Sequence, residues 1–162
     1  MIRDVLSRIG EQYRAATQES FAQNALAQFV RNEAPAAIRQ GINDEYFQVR
    51  GSAGQGTWSE VPWIAVFDPL ATTSAMRGYY VVYLFHSNMS RVFLSLNQGT
   101  TIVREEFGAG SRDELRRRAR LIKSRLRGTF GQFDDADVVL GSRRTLPLDP
   151  IAEQVITYIE AL

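Results

Sequence analysis

The chain has 162 residues, 44% hydrophobic and 23% charged, enough apolar material for one soluble globular domain with a core of its own. It has no cysteine, which excludes disulfides and thiolate metal sites, and its one histidine, His86, argues against a zinc centre. The net charge is only +1, yet Lys123 is the only lysine among 19 basic residues. Arginine's rigid fork suits phosphate, although a G+C-rich genome also inflates arginine.

Residues 2–33 read as helical: Val5, Ile9, Tyr13 and Ala16 fall at helical spacing, and Ser20-Phe21-Ala22 restarts the pattern toward Leu26, Phe29 and Val30. Pro35 followed by Ala36-Ala37-Ile38 predicts one more short helix with proline in its first turn. Tyr46 to Arg50 alternates as a strand, and Gly51-Ser52-Ala53-Gly54-Gln55-Gly56 reads as a loop. Val61 to Phe67 is a nearly continuous apolar run, as in a buried strand. Pro69 to Arg77 is turn-rich. Gly78 to Phe85 and Arg91 to Leu96 are the strongest strands, joined as a hairpin around Ser87-Asn88-Met89.

Ser111-Arg112-Asp113-Glu114 is a capping box opening a helix to about Arg127, closed by Gly128. A loop over 128–136 and a short strand at Val138-Val139-Leu140 follow. Pro150 is expected to start a final helix, with Ile151, Val155, Ile156 and Ile159 on one face. The plan is a single α+β domain: a central, mostly antiparallel curved sheet flanked by N-terminal and C-terminal helices. No run approaches the roughly 18 apolar residues of a membrane span, and the start lacks a signal-peptide layout. A cytoplasmic location without a membrane partner is the expectation.

A catalytic reading finds little support. Asp134, Asp135 and Asp137 have no partner ligands at a metal spacing and read as a solvated acidic turn. Glu105 and Glu106 begin no motif, and Asp68-Pro69 reads as a turn. The Gly51–Gly56 segment precedes neither a helix nor a Lys-Ser/Thr pair, so it is not a phosphate loop. No cofactor is implied. The stretch from Tyr46 to Gly99 instead concentrates aromatics and glycines. Most of the aromatics fill a core, Tyr83, Phe85 and Phe93 among them. A tryptophan beside a glycine-rich loop is different, because a loop without side chains approaches a ligand closely and an indole suits a flat base.

The run Gly54-Gln55-Gly56-Thr57-Trp58-Ser59-Glu60-Val61-Pro62-Trp63-Ile64-Ala65 resembles the signature of the N-terminal domain of McrB-type modification-dependent restriction proteins. The resemblance continues through Gly78-Tyr79-Tyr80-Val81-Val82-Tyr83-Leu84-Phe85 and Leu94-Ser95-Leu96-Asn97-Gln98-Gly99. It covers about the middle third; the flanking helices agree in order. It implies a non-catalytic domain that binds double-stranded DNA, rotates a methylated cytosine out of the duplex and encloses it in a pocket. The resemblance places Trp63 as a wall of that pocket, Leu84 as an apolar wall from the next strand, and Tyr80 as a neighbour. The loop residue that stacks is a tyrosine in the best-known member, and Gln55 stands there in this chain. Glutamine offers hydrogen bonds but no aromatic face, so which modification is read stays open.

On the helix over 111–127, Arg112, Arg116, Arg120, Lys123 and Arg127 share one stripe, beside Leu115, Ala119, Ile122 and Leu126. The stripe is either a solvated face or a track along DNA phosphates. Arg50, Ser52 and Arg77 flank the proposed pocket loops, with Gly54 and Gly56 within the loop, and are the better phosphate candidates by position. Partners implied are modified duplex DNA and a downstream GTPase or nuclease domain or subunit. The competing readings are a reader of another mark (methylated adenine, hydroxymethylated cytosine or backbone sulfur) and a protein-interaction module docking through an apolar sheet.

Overall fold

The structure, a computed structural model, describes residues 1–126, residues 140 and 141, and the backbone of 154–161. Helix α1, Ile2–Ala16, buries Val5, Leu6, Ile9, Tyr13 and Ala16, a stripe at three- and four-residue spacing that must face a second layer. The single helical reading of 2–33 gives way to two helices. Gln23 sits at φ 61°, and Asn24 caps α2, Ala25–Gln28, with its side-chain oxygen accepting from the Leu26 and Ala27 amides at 2.9 and 3.4 Å. A π turn at Phe29–Glu33 carries the chain into α3, Ala34–Ile42, with Pro35 in its first turn and Asn43 left-handed at its end.

Five strands follow: β1 Gln48–Gly54, β2 Trp58–Phe67, β3 Tyr79–Phe85, β4 Arg91–Gln98 and β5 Gln154–Ala161. They lie in the order β1-β2-β3-β4-β5, every pair antiparallel, in an α+β fold. Two sequence expectations are corrected here. The glycine-rich stretch is strand as far as Gly54. Gly51 serves close packing within it, since a Cβ there would lie 2.0 Å from the Val30 carbonyl oxygen. The expected final helix is strand β5, antiparallel to β4. Its residues Val155, Ile156, Thr157, Tyr158 and Ile159 are β-branched or aromatic, and pairing with the edge of β4 outweighs an apolar spacing that fits either element.

Between β4 and β5 lie α4, Thr101–Phe107, which the sequence pattern did not reveal, and α5, Ser111–Leu126. Glu114, read as the return partner of a capping box, accepts hydrogen bonds from Arg117 and Arg118. The expected helix end at Gly128, the loop over 128–136, the acidic turn and Val138-Val139 fall outside the described residues. No helix among the described residues is long and apolar enough to cross a membrane.

Strand alternation divides the sheet into two faces. Ile64, Phe85 and Val92, with half-buried Val66 and Tyr83, pack against the α1–α3 layer. Trp63, Ala65, Phe67, Tyr80, Val82 and Leu84 form the cluster on the other face. Tyr13 fastens α1 to the sheet: its buried hydroxyl lies 3.0 Å from the Ala53 carbonyl and 2.7 Å from that of Ser59, and burial raises its pKa well above the ordinary phenol value. Tyr13→Phe strands both acceptors and should lower unfolding free energy by about 1–3 kcal/mol, read from the urea midpoint at constant slope. An unchanged midpoint would remove Tyr13 as the clamp.

Candidate nucleic-acid interface

The face turned away from the N-terminal helices is built in three cross-strand rows. Trp63 on β2 pairs directly with Ser52 on β1 and Leu84 on β3, and Leu84 pairs with Phe93 on β4. Two residues along, Arg50, Ala65, Val82 and Ser95 stand side by side. The next row holds Phe67, Tyr80 and Asn97; the Phe67 and Tyr80 rings are 5.4 Å apart and Tyr80 pairs with Asn97. Bulky side chains therefore flank a middle row whose members beyond Arg50 are small or β-branched. These rows outline a shallow trough whose floor is closed by covering side chains.

Trp63, Tyr80 and Leu84, singled out separately in the sequence, share this face and are all half-buried. The Trp63 indole is thus not sealed in the core. Ala65, Val82 and Ser95 are 0–2% exposed; Ala75 from the β2–β3 connection packs against Ala65 and Val82 with the walls, and Leu140 packs at the Phe93 and Leu84 end of the same face. Arg50 is exposed at the β1 end of the middle row, its guanidinium 5.8 Å from the Phe67 ring centre and 3.3 Å from the Gln48 side-chain oxygen. Ser52, beside Trp63, accepts a 3.2 Å hydrogen bond from the Gly54 amide.

Gln55 and Gly56 are exposed between β1 and β2. Ser52 pairs with Trp63 and Gly54 with Trp58, the register shifting between them, so Gln55 follows the cross-strand partner of Trp63 by three residues. Gly54 has φ 131° and no room for a Cβ, which would meet the Thr57 carbonyl oxygen at 1.9 Å; Gly56 has φ 71° and open space around it. Arg77 is exposed in the β2–β3 connection, at the opposite end of the sheet, beside Gly99, whose missing Cβ leaves space for the Arg77 backbone. The second tryptophan, Trp58, belongs to the helix side: its indole donates to the Glu19 carbonyl at 2.9 Å and meets Tyr13 and Phe21 edge-on.

The alternation in Leu94-Ser95-Leu96-Asn97 looks like an ordinary strand with polar residues outward. The structure inverts that pattern, because Ser95 and Asn97 are 0% and 3% exposed while Leu94 and Leu96 are half-buried. Sequence reading missed them as possible site residues for that reason. Ser95 donates to the Asn97 side-chain oxygen at 2.6 Å.

On α5 the expected division of faces is present: Leu115 and Ala119 are buried, and Arg112, Arg116 and Arg120 are exposed. Lys123 is half-buried, and Arg127 lies outside the described residues. Glu114 engages Arg117 at 2.8 Å and Arg118 at 2.6 Å.

The profile of the MrcB-like, N-terminal domain family matches residues 8–152, most of the chain. The chain belongs to this family, and as such it is a DNA-binding module of the McrB-type restriction proteins. No curated protein and no solved structure matches it.

Hydrogen bonds from Arg117 and Arg118 lower the Glu114 pKa from 4.5 to about 2. A depressed carboxylate stabilises the fold fully above its unfolded value and loses that contribution as pH falls through the folded one. The α5 pairs should therefore persist at pH 4 and dissolve toward pH 2. A carboxyl NMR titration of Glu114 checks this; a midpoint near 4.5 would mean the pairs do not hold in solution.

Proposed function

We propose that this domain reads a modified base, methylated cytosine, by rotating it out of the duplex into the trough beside Trp63, and so directs a restriction effector to modified DNA. The observation that carries the reading is the direct pairing of half-buried Trp63 with Leu84, next to the small side chain of Ala65. An aromatic face, an apolar wall and a low floor are what a single flat ring needs. The effector is a GTPase motor or nuclease in another domain or subunit, and catalysis belongs there.

Extruding a base costs a few kcal/mol. Stacking on one aromatic returns roughly 1–3 kcal/mol, and a buried methyl adds about 0.8 kcal/mol. The methyl alone gives only several-fold preference. Because the floor is covered in the free protein, the indole and Ala75 must shift as the base enters, which draws further on the stacking energy. Gln55, exposed at the hairpin end, meets the duplex where the base leaves it. Arg50 and Ser52 at the β1 side, with Arg77 and the Arg112, Arg116 and Arg120 stripe, supply phosphate contacts that carry affinity without sequence information.

Binding to matched duplexes, unmodified or carrying methylated cytosine, hydroxymethylated cytosine, methylated adenine or phosphorothioate, tests the choice of mark. Trp63→Ala should abolish preference for the modified duplex and leave salt-sensitive background binding. Equal loss of both would make Trp63 a core residue. Gln55→Ala should reorder the modifications more than it changes overall affinity; an unaltered ranking would remove Gln55 from recognition. Absence of any salt-dependent DNA affinity would point to a protein-docking sheet.

A further inference from the structure

Resting on the base-reading role of this domain, we infer that Tyr13 is the positioning residue for the turn that carries Gln55 to the duplex. The tip of this turn is exposed at Gln55, Gly56 and Thr57, and a Cβ built on Gly56 would meet nothing within 4 Å. Regular strand pairing does not aim it. Ser52 pairs with Trp63 and Gly54 with Trp58, so Ala53 alone on β1 stands against Ser59, Glu60, Val61 and Pro62 on β2. Such an irregularity bends the strands and leaves backbone groups in need of other partners. The Tyr13 hydroxyl bonds at this gap. It lies 3.0 Å from the Ala53 carbonyl oxygen and 2.7 Å from that of Ser59, one on each arm of the turn.

The chemistry of this clamp runs in one direction. Both partners are carbonyl oxygens, so the hydroxyl can only donate, and its single hydrogen is shared between the two arms. The tyrosine is 2% exposed, and burial raises its pKa above the ordinary phenol value, so the donor stays protonated at neutral pH. Trp58 braces the same arm as Ser59: its ring meets that of Tyr13 edge-on at 5.4 Å, and its indole donates to the Glu19 carbonyl at 2.9 Å. Beside these contacts lies an open cleft of about 910 Å³, lined by Tyr13, Arg14, Trp58, Ser59 and Asn88 among others, so close packing does not duplicate the clamp on that side. Helix α1 thus sets where the turn points, through one hydroxyl. A turn held in its working position loses less freedom when it meets the duplex, and that saving appears only in the complex that uses the turn.

The test uses matched duplexes with cytosine or 5-methylcytosine at one position and a fluorescent adenine analogue beside it. Tyr13→Phe removes the hydroxyl and keeps the ring. At a temperature where the variant is folded, its affinity for the methylated duplex should fall roughly three- to fivefold, within the effect of one hydrogen bond, with less brightening at saturation. Its salt-sensitive binding to the unmodified duplex should stay at the wild-type level, because phosphate contacts do not depend on the turn. Ile38→Val, which trims a fully buried side chain on α3, supplies a destabilised control that should keep wild-type selectivity. A folded Tyr13→Phe protein with wild-type selectivity, or a control that loses as much, would overturn the positioning role. If Tyr13→Phe does not fold, Trp58→Phe decides alone: it drops the Glu19 bond from the same arm, keeps a ring against Tyr13, and should show the same selective loss, whereas unaltered selectivity would defeat the inference. Absence of brightening with wild-type protein defeats extrusion and Tyr13 together; brightening that Tyr13→Phe leaves unchanged, with unchanged selectivity, defeats Tyr13 only.

Discussion

The arrangement depends on the packing of a helical layer against one side of a pleated meander. Once α1 and α3 cover Ile64 and Phe85, alternation leaves Trp63, Ala65, Tyr80, Val82 and Leu84 no place but the opposite face. A slip of one residue between β2 and β3 would send Trp63 into the helix layer and expose Ile64, so the core that stabilises the domain also fixes the candidate site. The close approach of Gly51 to the Val30 carbonyl and the Tyr13 hydroxyl between two β-hairpin carbonyls hold that layer in register. Stability and site geometry are therefore two consequences of one constraint.

The second face differs in composition from a simple core. Its rows alternate bulky and small: Trp63–Leu84–Phe93, then Ala65–Val82–Ser95, then Phe67–Tyr80–Asn97. A face built only for packing would interdigitate large side chains across the middle row and keep amides out. Here small side chains occupy the centre and a Ser–Asn pair is buried at one side. Such departures from local packing rules are expected at functional sites.

Much of this was legible in the sequence where the signal is local. The helical stripe of Val5, Ile9, Tyr13 and Ala16 and the β-branched and aromatic run Tyr79–Phe85 are each local signals, and a helix and a strand formed there. The Gly54–Ala65 run identified the family, and Trp63, Tyr80 and Leu84 came together on one face. What failed depended on partners distant in the chain. Gly51 and Ala53 read as loop because the carbonyl of Val30 that demands a glycine is invisible in sequence. The run from Val155 to Ile159 fits a helix until β4 offers an unpaired edge. The inward turn of Ser95 and Asn97 likewise follows from pairing with Val82 and Tyr80, not from their own polarity.

The same geometry bears on how affinity and discrimination divide within the proposed reader. Phosphate contacts from arginines such as Arg50 and Arg116 draw on long-range attraction, are exposed, and weaken with salt. Trp63, Tyr80 and Leu84 are half-buried on one face, so stacking there responds to the chemistry of a single ring and little to salt. A 5-methyl group distinguishes cytosine from its methylated form by about one buried carbon. In such a reader the exposed arginines carry affinity and the Trp63 face carries the small preference for the mark, so the two respond differently to salt.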